Sequence, residues 1–211
     1  MNAATGESRW TVEWQNVAET LRAFEPSAAE LVRAAPTLAA FYNDRYNRAM
    51  MSNTVAFKTA DVVDHIAELQ AKGERPFLLE RASVLERASV LERDGILVGD
   101  ADFRHLTASD AEFAILVGRR DEQGRGLGTR FATLLHAFAF FGLGLERLFV
   151  SIIPQNEPSQ RLFLRLGYAR DDGSAARRFA DDESDLTFSL GRAEFQSRFA
   201  NVLPEMHWRR C

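Results

Sequence analysis

Alternating and helical spacings of apolar residues divide the chain into predicted strands and helices. Residues 20–24 alternate between apolar and polar side chains, which predicts a first strand. Ser27 and Glu30 then form a capping box, so a helix is expected to follow, with a kink or a break at Pro36. A second helix is predicted to begin at Thr59, whose hydroxyl would cap an acidic first turn.

The second half of the chain predicts strands on both sides of a glycine-rich loop at 123–129. Before the loop, strands are predicted at 76–79, 95–103 and 111–117. After it, the predicted elements are a helix at 130–141, a strand at 148–153, a helix at 156–166, a strand at 185–190 and a terminal helix at 192–203. This order of elements is typical of a mixed α/β domain.

A repeated hexapeptide interrupts the predicted strands. LERASV occurs at 79–84 and again at 85–90, followed by LER at 91–93. Without two hexads the segment would be an ordinary hairpin that turns at Asp94 and Gly95, so we interpret about 79–93 as an insertion. Its composition favours a helical or protruding insert over a lengthened hairpin. The predicted domains are an N-terminal appendage at 1–17 and a single domain at 18–211.

Composition narrows the class of protein. With 211 residues, 46% of them hydrophobic, the chain is long enough for one domain with a sizeable core. The net charge of -4 argues against nucleic acid as the main partner. The single Cys211 and four dispersed histidines give no metal-ligand spacing. The longest apolar stretch, 131–145, is shorter than the ~20 residues that cross a bilayer, and no secretory signal is evident, so we expect a cytoplasmic protein without a membrane partner.

The loop QGRGLGT, residues 123–129, carries the clearest chemistry. It delivers a strand into a helix, so free backbone N–H groups and the positive end of the helix dipole would meet there, as in a pyrophosphate site. A nucleotide-hydrolase P-loop needs lysine before the Ser or Thr, whereas Gly128 precedes Thr129 directly. A dinucleotide motif would follow the first strand of a parallel sheet, and this loop lies in mid-chain.

Two motifs together resemble one family. Gln123-x-x-Gly126-x-Gly128 matches the Q/R-x-x-G-x-G/A signature of the GNAT superfamily of acyl-CoA-dependent N-acetyltransferases. Residues 156–168, from Asn156 to the ending LFLRLGY, resemble its second helix motif, and the similarity covers roughly 19–190. The segments LRAFEPSAAEL and AFYNDRYNRAM are most similar to the branch that includes ribosomal-protein N-terminal acetyltransferases.

The resemblance implies an α+β fold with a mostly antiparallel twisted sheet, flanked by helices and splayed at the site of acetyl-CoA, the co-substrate. For Asn156, a role as helix N-cap is the alternative to ligand contact. The implied acetyl-CoA-binding residues are Ile115, Leu116, Val117, Gln123, Gly124, Arg125, Gly126, Leu127, Gly128, Thr129, Asn156 and Ser159.

Transfer to an amine needs a proton acceptor, for which carboxylates are candidates. Glu112, at the start of the strand that enters the predicted acetyl-CoA site, is the first candidate. Asp100 and Asp102 follow, and because strand alternation places them on one face they could instead bind a cationic substrate, as could His105. For each of these three carboxylates, the alternative to a catalytic or substrate-binding role is an exposed group at the end of a strand.

The proton donor is where the chain departs from the family pattern. Many members carry tyrosine at the position of Phe163, which has no proton to donate. Tyr168 is the remaining candidate acid, although this position usually holds a core ring. We therefore expect direct acetyl transfer to a primary amine, either a small molecule or a peptide, within a ternary complex. The alternative is a non-catalytic acyl-CoA-binding or sensing module, and a homodimer is possible.

Overall fold

The computed structural model describes residues 9–16, 19–52, 54–83 and 95–211. The described strands are β1 (Trp10–Gln15), β2 (Glu19–Phe24), β3 (Arg75–Ser83), β4 (Ile96–Arg104), β5 (Asp110–Val117), β6 (Arg147–Ile152), β7 (Ala169–Arg170), β8 (Leu186–Gly191) and β9 (Met206–Arg210). The described α-helices are α1 (Ala28–Asn43), α2 (Arg45–Met50), α3 (Thr59–Ala71), α4 (Leu127–Ala137), α5 (Glu157–Leu166), α6 (Ser174–Arg177) and α7 (Arg192–Phe199).

These strands form one sheet in the order β7-β8-β6-β5-β4-β3-β2-β1-β9. Neighbouring strands are antiparallel except β5 and β6, which are parallel. Helices cover both faces because side chains alternate along each strand. On β3, Phe77 and Leu79 pack in the core with α4, whereas Leu78 packs with α1 and α3. The predicted mixed α/β fold, mostly antiparallel and flanked by helices, is confirmed.

The sheet opens between β5 and β6. Their pairing covers only residues 110–112 of β5, the last pair being Glu112 with Phe149, while β5 continues to Val117. The far side of β5 remains paired with β4 as far as Val117. The backbone of residues 113–117 therefore has one edge that pairs with no other described strand, which is the expected splay of the sheet.

Two details of the predicted helices differ from expectation. The capping box of Ser27 and Glu30 is present, but Pro36 does not split α1. Pro36 and Val32, whose carbonyl loses its hydrogen bond, both lie on the exposed side, where water can solvate that carbonyl. In α3, Thr59 is the first helical residue and Lys58 is the N-cap, with its backbone N–H donating to Asp61.

Residues 10–15 are an integral strand, which differs from the appendage expected over 1–17. β1 lies between β2 and β9 and buries Val12 completely. Trp10 packs against Phe138, and the Trp14 indole donates to Glu205. The partner β9 was not predicted and comes from the far end of the chain, so no local pattern indicated this pairing.

The beginning of the repeat is a strand. Residues 79–83 extend β3 and pair with β2, and residues 79–81 also pair with β4. Leu79 is fully buried, so the helical expectation is wrong for this part of the insertion. Tertiary pairing outweighs the helical propensity of Leu, Glu and Arg here. Residues 84–94, which hold the rest of the predicted insert, lie outside the described residues. No helix in the described part of the chain is long and apolar enough to cross a membrane.

Candidate active site

The opening between β5 and β6 forms a cavity of about 500 Å³, which we call the loop cavity. It is lined by the free edge of β5, the glycine-rich loop and the first turns of α4 and α5. Of the residues predicted to bind acetyl-CoA, Arg125 alone is absent from its described lining. Those that it brings together are Ile115, Leu116, Val117, Gln123, Gly124, Gly126, Leu127, Gly128, Thr129, Asn156 and Ser159.

Glycine is required in the loop by its backbone conformation. Gly124 and Gly126 have φ angles of 74° and 81°, in the left-handed region that favours glycine. Gly126 is the N-cap of α4, and the next three residues line the cavity. The first N–H groups of a helix lack partners within it, and the dipole adds positive potential. This end of the cavity therefore suits an anion such as a pyrophosphate.

Asn47 fixes the loop to the sheet, and no sequence pattern predicted this role. This α2 side chain is 1% exposed and donates from Nδ2 to the carbonyls of Phe41 and Gly118, both at 3.0 Å. Its Oδ1 accepts from Gln123 Nε2 at 2.8 Å, and the same Nε2 lies 2.6 Å from the Val117 carbonyl oxygen. The Gln123 side chain is thus a structural anchor for the loop.

Replacing Asn47 with Ala is expected to weaken CoA binding about tenfold and to lower the free energy of unfolding by about 1–3 kcal/mol. The buried Gly118 carbonyl loses its side-chain partner, and Gln123 Nε2 keeps only the Val117 carbonyl. Calorimetric titration with CoA and chemical denaturation measure the two effects. The exposed Asn201 gives the control, since Asn201→Ala should change neither quantity. Unchanged CoA affinity in Asn47→Ala would show that the loop does not depend on this anchor.

Two further cavity residues, Arg161 and Arg165, were not predicted. They lie on α5 with Pro158 and Leu162, and their spacing places all four on one face of the helix. Helical periodicity could have identified this face once the cavity was known. Arg161 forms an ion pair with Glu157, so it is partly neutralised. The two guanidinium groups add positive charge to the lining of the loop cavity.

Asn156 has the N-cap role given as its alternative. Its Oδ1 accepts from the Ser159 backbone N–H at 3.1 Å. Its Nδ2 donates to the Met50 carbonyl at 2.9 Å, which joins α5 to α2 across the cavity. Asn156 thus fixes two walls of the loop cavity while lining it.

A second cavity, of about 420 Å³, lies on the sheet face covered by α1 and α3. We call it the acidic cavity, because Asp100 and Asp102 line it from one face of β4, as predicted. Ile115 and Leu116 line both cavities. In the β4–β5 register Asp100 lies directly opposite Leu116, so this carboxylate is at the junction of the two cavities.

Asp100 is held by one hydrogen bond. The Tyr42 hydroxyl donates to its Oδ2 at 2.7 Å, and its Oδ1 has no partner among the described residues. Burial raises the pKa of Asp100 to about 7, although the Tyr42 hydrogen bond opposes this shift; Asp102 raises the pKa further and Arg104 lowers it. A carboxyl group with this pKa can exchange a proton near neutral pH.

This pKa predicts a pH-dependent effect of Asp100→Asn on stability. Because the native pKa of about 7 lies above the ordinary 3.8, the folded protein binds more protons than the unfolded chain between these values. The contribution of Asp100 to stability therefore falls as pH rises through this window. Asp100→Asn should increase the melting temperature more at pH 8 than at pH 5. Thermal denaturation at pH 5 and at pH 8 measures the two changes in melting temperature. An equal change at both pH values would contradict the raised pKa of Asp100.

Asp102 and Arg104 form a closed ion pair. Arg104 Nε and Nη2 donate to the two carboxylate oxygens of Asp102 at 2.6 and 3.2 Å. Asp102 is only 6% exposed, so water screens this pair weakly. The charge of Asp102 is therefore balanced within the cavity.

Glu112 is buried but does not line either cavity. It lies opposite Arg104, four residues before Leu116 on β5. Burial raises its pKa to about 7, Arg104 opposes this, and Asp102, Asp181 and Glu74 add to it. The predicted substrate residue His105 is likewise outside the described lining of the acidic cavity. Its Nε2 lies 3.8 Å from Glu112 and its ring packs against Phe179.

A family model described as an acetyltransferase (GNAT) domain matches residues 20–169. The chain belongs to the GNAT acetyltransferase family. RimJ from Mycobacterium smegmatis, in complex with CoA-disulfide, is 15% identical, with a TM-score of 0.66 over 95% of this chain and 97% of that one. Spermidine N-acetyltransferase from Vibrio cholerae, in complex with CoA and spermine, is 16% identical, with a TM-score of 0.63 over 85% and 99%. A search of curated proteins found no match.

GNAT enzymes use acetyl-CoA, and the loop cavity has the features that this co-substrate needs. The helix N-terminus with its glycines suits the pyrophosphate. The free edge of β5 suits the amide groups of pantetheine, which can pair with it as an added strand. No group of three His, Cys, Asp or Glu side chains in the described ranges is arranged to hold a metal ion.

The structure places Tyr168, predicted as the GNAT acid, in the core. It is 3% exposed, its hydroxyl lies 2.8 Å from His136 Nε2, and it does not line either cavity. Phe163, at the position where many relatives carry tyrosine, is also buried and packs against the Tyr168 ring. Tyr168 therefore has the packing role that was the alternative to an acid.

Tyr168→Phe should leave kcat and CoA affinity unchanged but lower the free energy of unfolding by about 1–3 kcal/mol, because His136 loses its buried partner. Steady-state kinetics and urea denaturation give the two numbers. A loss of kcat without a loss of stability would restore Tyr168 as an acid.

Proposed function

We propose that this GNAT protein transfers the acetyl group of acetyl-CoA to a primary amine in a ternary complex, at the junction of the loop cavity and the acidic cavity. The observation that carries the proposal is the shared wall at Ile115 and Leu116, with Asp100 directly across from it. One cavity suits the acyl donor, the other suits a cationic acceptor, and they meet beside a carboxylate. A small-molecule amine or a peptide N-terminus can enter from the acidic side.

The acyl donor is held by groups of the loop cavity. The N-terminus of α4 binds the pyrophosphate, and Arg161 and Arg165 contribute positive charge. Pantetheine lies along the free edge of β5. Since Gly118 N–H donates to Val98 on β4, alternation directs the Ile115 N–H toward the open side. This group is positioned to polarise the thioester carbonyl as an oxyanion donor.

Asp100 is the base that the geometry favours. An ammonium ion enters the acidic cavity, gives one proton to the Asp100 carboxylate and becomes a nucleophile. Glu112, the first candidate from the sequence, lies four residues along β5, about 13 Å from Leu116 in an extended strand. It would have to act through several water molecules.

The chemical step balances without a tyrosine acid. The neutral amine nitrogen attacks the thioester carbonyl, a carbon–nitrogen bond forms, and the carbon–sulfur bond breaks. Because Asp100 already holds the first proton, the nitrogen releases its remaining extra proton to solvent, and the CoA thiolate takes a proton from water. Because Phe163 is buried, solvent is the proton donor in this scheme.

An acceptor screen tests the proposed activity. Purified protein with acetyl-CoA is assayed for thiol release against arylalkylamines, polyamines, aminoglycosides, amino acids and peptides. Calorimetry of CoA binding to the same preparation is the control for a folded loop cavity. Amine-dependent thiol release is expected. CoA binding without release for any acceptor would contradict the proposal and favour a non-catalytic acyl-CoA-binding module.

A further inference from the structure

The acidic cavity carries fewer free charges than its two aspartates suggest. Its charged side chains, among the described residues, are Asp100, Asp102 and Arg104. His65 also lines it, but burial and the nearby Arg104 lower the pKa of His65, so the imidazole is neutral at neutral pH. Most other lining groups are apolar or aromatic, including Met51 and Phe57.

The two aspartates differ in what they can offer to a ligand. Both oxygens of Asp102 accept from Arg104. Asp100 uses only Oδ2, with Tyr42, and its Oδ1 has no partner. That Oδ1 is buried, so what the cavity offers is an Asp100 carboxylate without a cationic partner among the described residues, beside the wall that it shares with the loop cavity.

We propose that Arg104 determines the charge class of the acceptor. By neutralising Asp102 it leaves Asp100 as the single anionic contact, so the acceptor is a primary amine with one positive charge and an apolar or aromatic body. This inference rests on the proposed acetyl transfer and specifies its substrate. A second ammonium group in the cavity would lie against apolar side chains or beside the Arg104 cation, and either position is unfavourable.

Removal of the Arg104 charge should change this class. Residues two apart on a strand lie about 7 Å from each other on the same face. Without Arg104, Asp102 would become a second anionic contact at about that distance from Asp100. A short diamine such as 1,4-diaminobutane matches this separation, with one nitrogen reacting at Asp100 and the other held by Asp102.

The test compares kcat/KM for 2-phenylethylamine and 1,4-diaminobutane at pH 8. The natural protein should favour 2-phenylethylamine. In Arg104→Met the ratio of the two kcat/KM values should move toward the diamine by about 10- to 100-fold, the effect of one charge-assisted contact. Arg104→Lys keeps the cation and should retain the preference for the monoamine. The double variant Arg104→Met, Asp102→Asn removes both charges and should restore the preference for the monoamine.

Each outcome has one meaning. A preference of the natural protein for the diamine, or an unchanged ratio in Arg104→Met, overturns the role of Arg104 while leaving acetyl transfer intact. Absence of thiol release with every amine overturns the proposed function instead. If Arg104→Met fails to bind CoA or to melt cooperatively, the single variant Asp102→Asn tests the inference. It leaves the Arg104 cation without its ion-pair partner in the cavity, so kcat/KM should fall for both amines. An unchanged kcat/KM contradicts the inference.

Discussion

Replacing Asp100 with Asn is expected to lower kcat about 10²- to 10⁴-fold, the usual contribution of a general base, while CoA affinity stays the same. Asparagine keeps the shape of the side chain and can still accept the Tyr42 hydrogen bond, but it cannot take a proton from the ammonium ion. Asp100 does not line the loop cavity, so CoA binding does not depend on it. Thiol release with a saturating amine and calorimetry of CoA binding measure the two effects.

The matched control is Glu112→Gln. Glu112 has a similarly raised pKa but lies outside both cavities, so this variant should lose less than about tenfold in kcat. A large loss in Glu112→Gln together with a small one in Asp100→Asn would return the role of base to Glu112.

The pH dependence of kcat/KM in the natural protein follows from the same group. The carboxyl of Asp100, with a pKa of about 7, is protonated and inactive as a base below that value and ionised above it. The rate should therefore rise tenfold per pH unit below pH 7 and level off above it. Glu112→Gln should retain this limb. Tyr42, His65, Asp102 and Arg104 surround the carboxyl, so their substitution should shift the midpoint rather than remove the limb.

Gly99→Ala should have the largest effect on stability, at least about 3 kcal/mol of unfolding free energy. A Cβ atom on Gly99 would lie 1.9 Å from the Leu116 carbonyl oxygen and 2.9 Å from its carbonyl carbon. Both are backbone atoms, so relief requires β5 to move from β4 at the wall shared by the cavities. CoA affinity should fall as well. Urea denaturation and calorimetry measure the two losses.

Gly191 offers a control for Gly99. It ends β8, its φ angle is -89°, and an added Cβ would have nothing within 4 Å. Gly191 is also the N-cap of α7, where Ala is less favourable than Gly, so Gly191→Ala should lower stability by no more than about 1 kcal/mol. If Gly99→Ala were equally harmless, the close approach of β4 and β5 at Leu116 would be wrong.

Local patterns sufficed for much of the fold and for one side of the site. The capping box of α1, the strands around the loop and the left-handed glycines all depend on residues near one another in sequence. β9 was missed because its partner β1 lies at the opposite end of the chain. β1 pairs with the adjacent β2 as well, but a short strand has little in its own sequence to distinguish it. The LERAS segment was misjudged because its propensity favours helix whereas its pairing makes it a strand.

The second side of the site depends on tertiary contacts. Alternation correctly placed Asp100 and Asp102 on one face, but their difference arises from Tyr42 on α1 and from Arg104. Asn47 has an ordinary sequence context, and its importance comes from three segments that meet around it. From the sequence, Glu112 was the first candidate for the base because of its position on the strand. The two cavities meet farther along β5, at a place that is set by the packing of α1 and α5 around that strand.

The most direct test of acetyl transfer at the junction is quantification of both products in one reaction. Protein, acetyl-CoA and 2-phenylethylamine are incubated at pH 8, and N-acetyl product and free CoA are measured by mass spectrometry. Acetyl transfer at the junction should give equal amounts of the two in the natural protein and a loss of both in Asp100→Asn. Free CoA without N-acetylated amine, or undiminished product in Asp100→Asn, would contradict it.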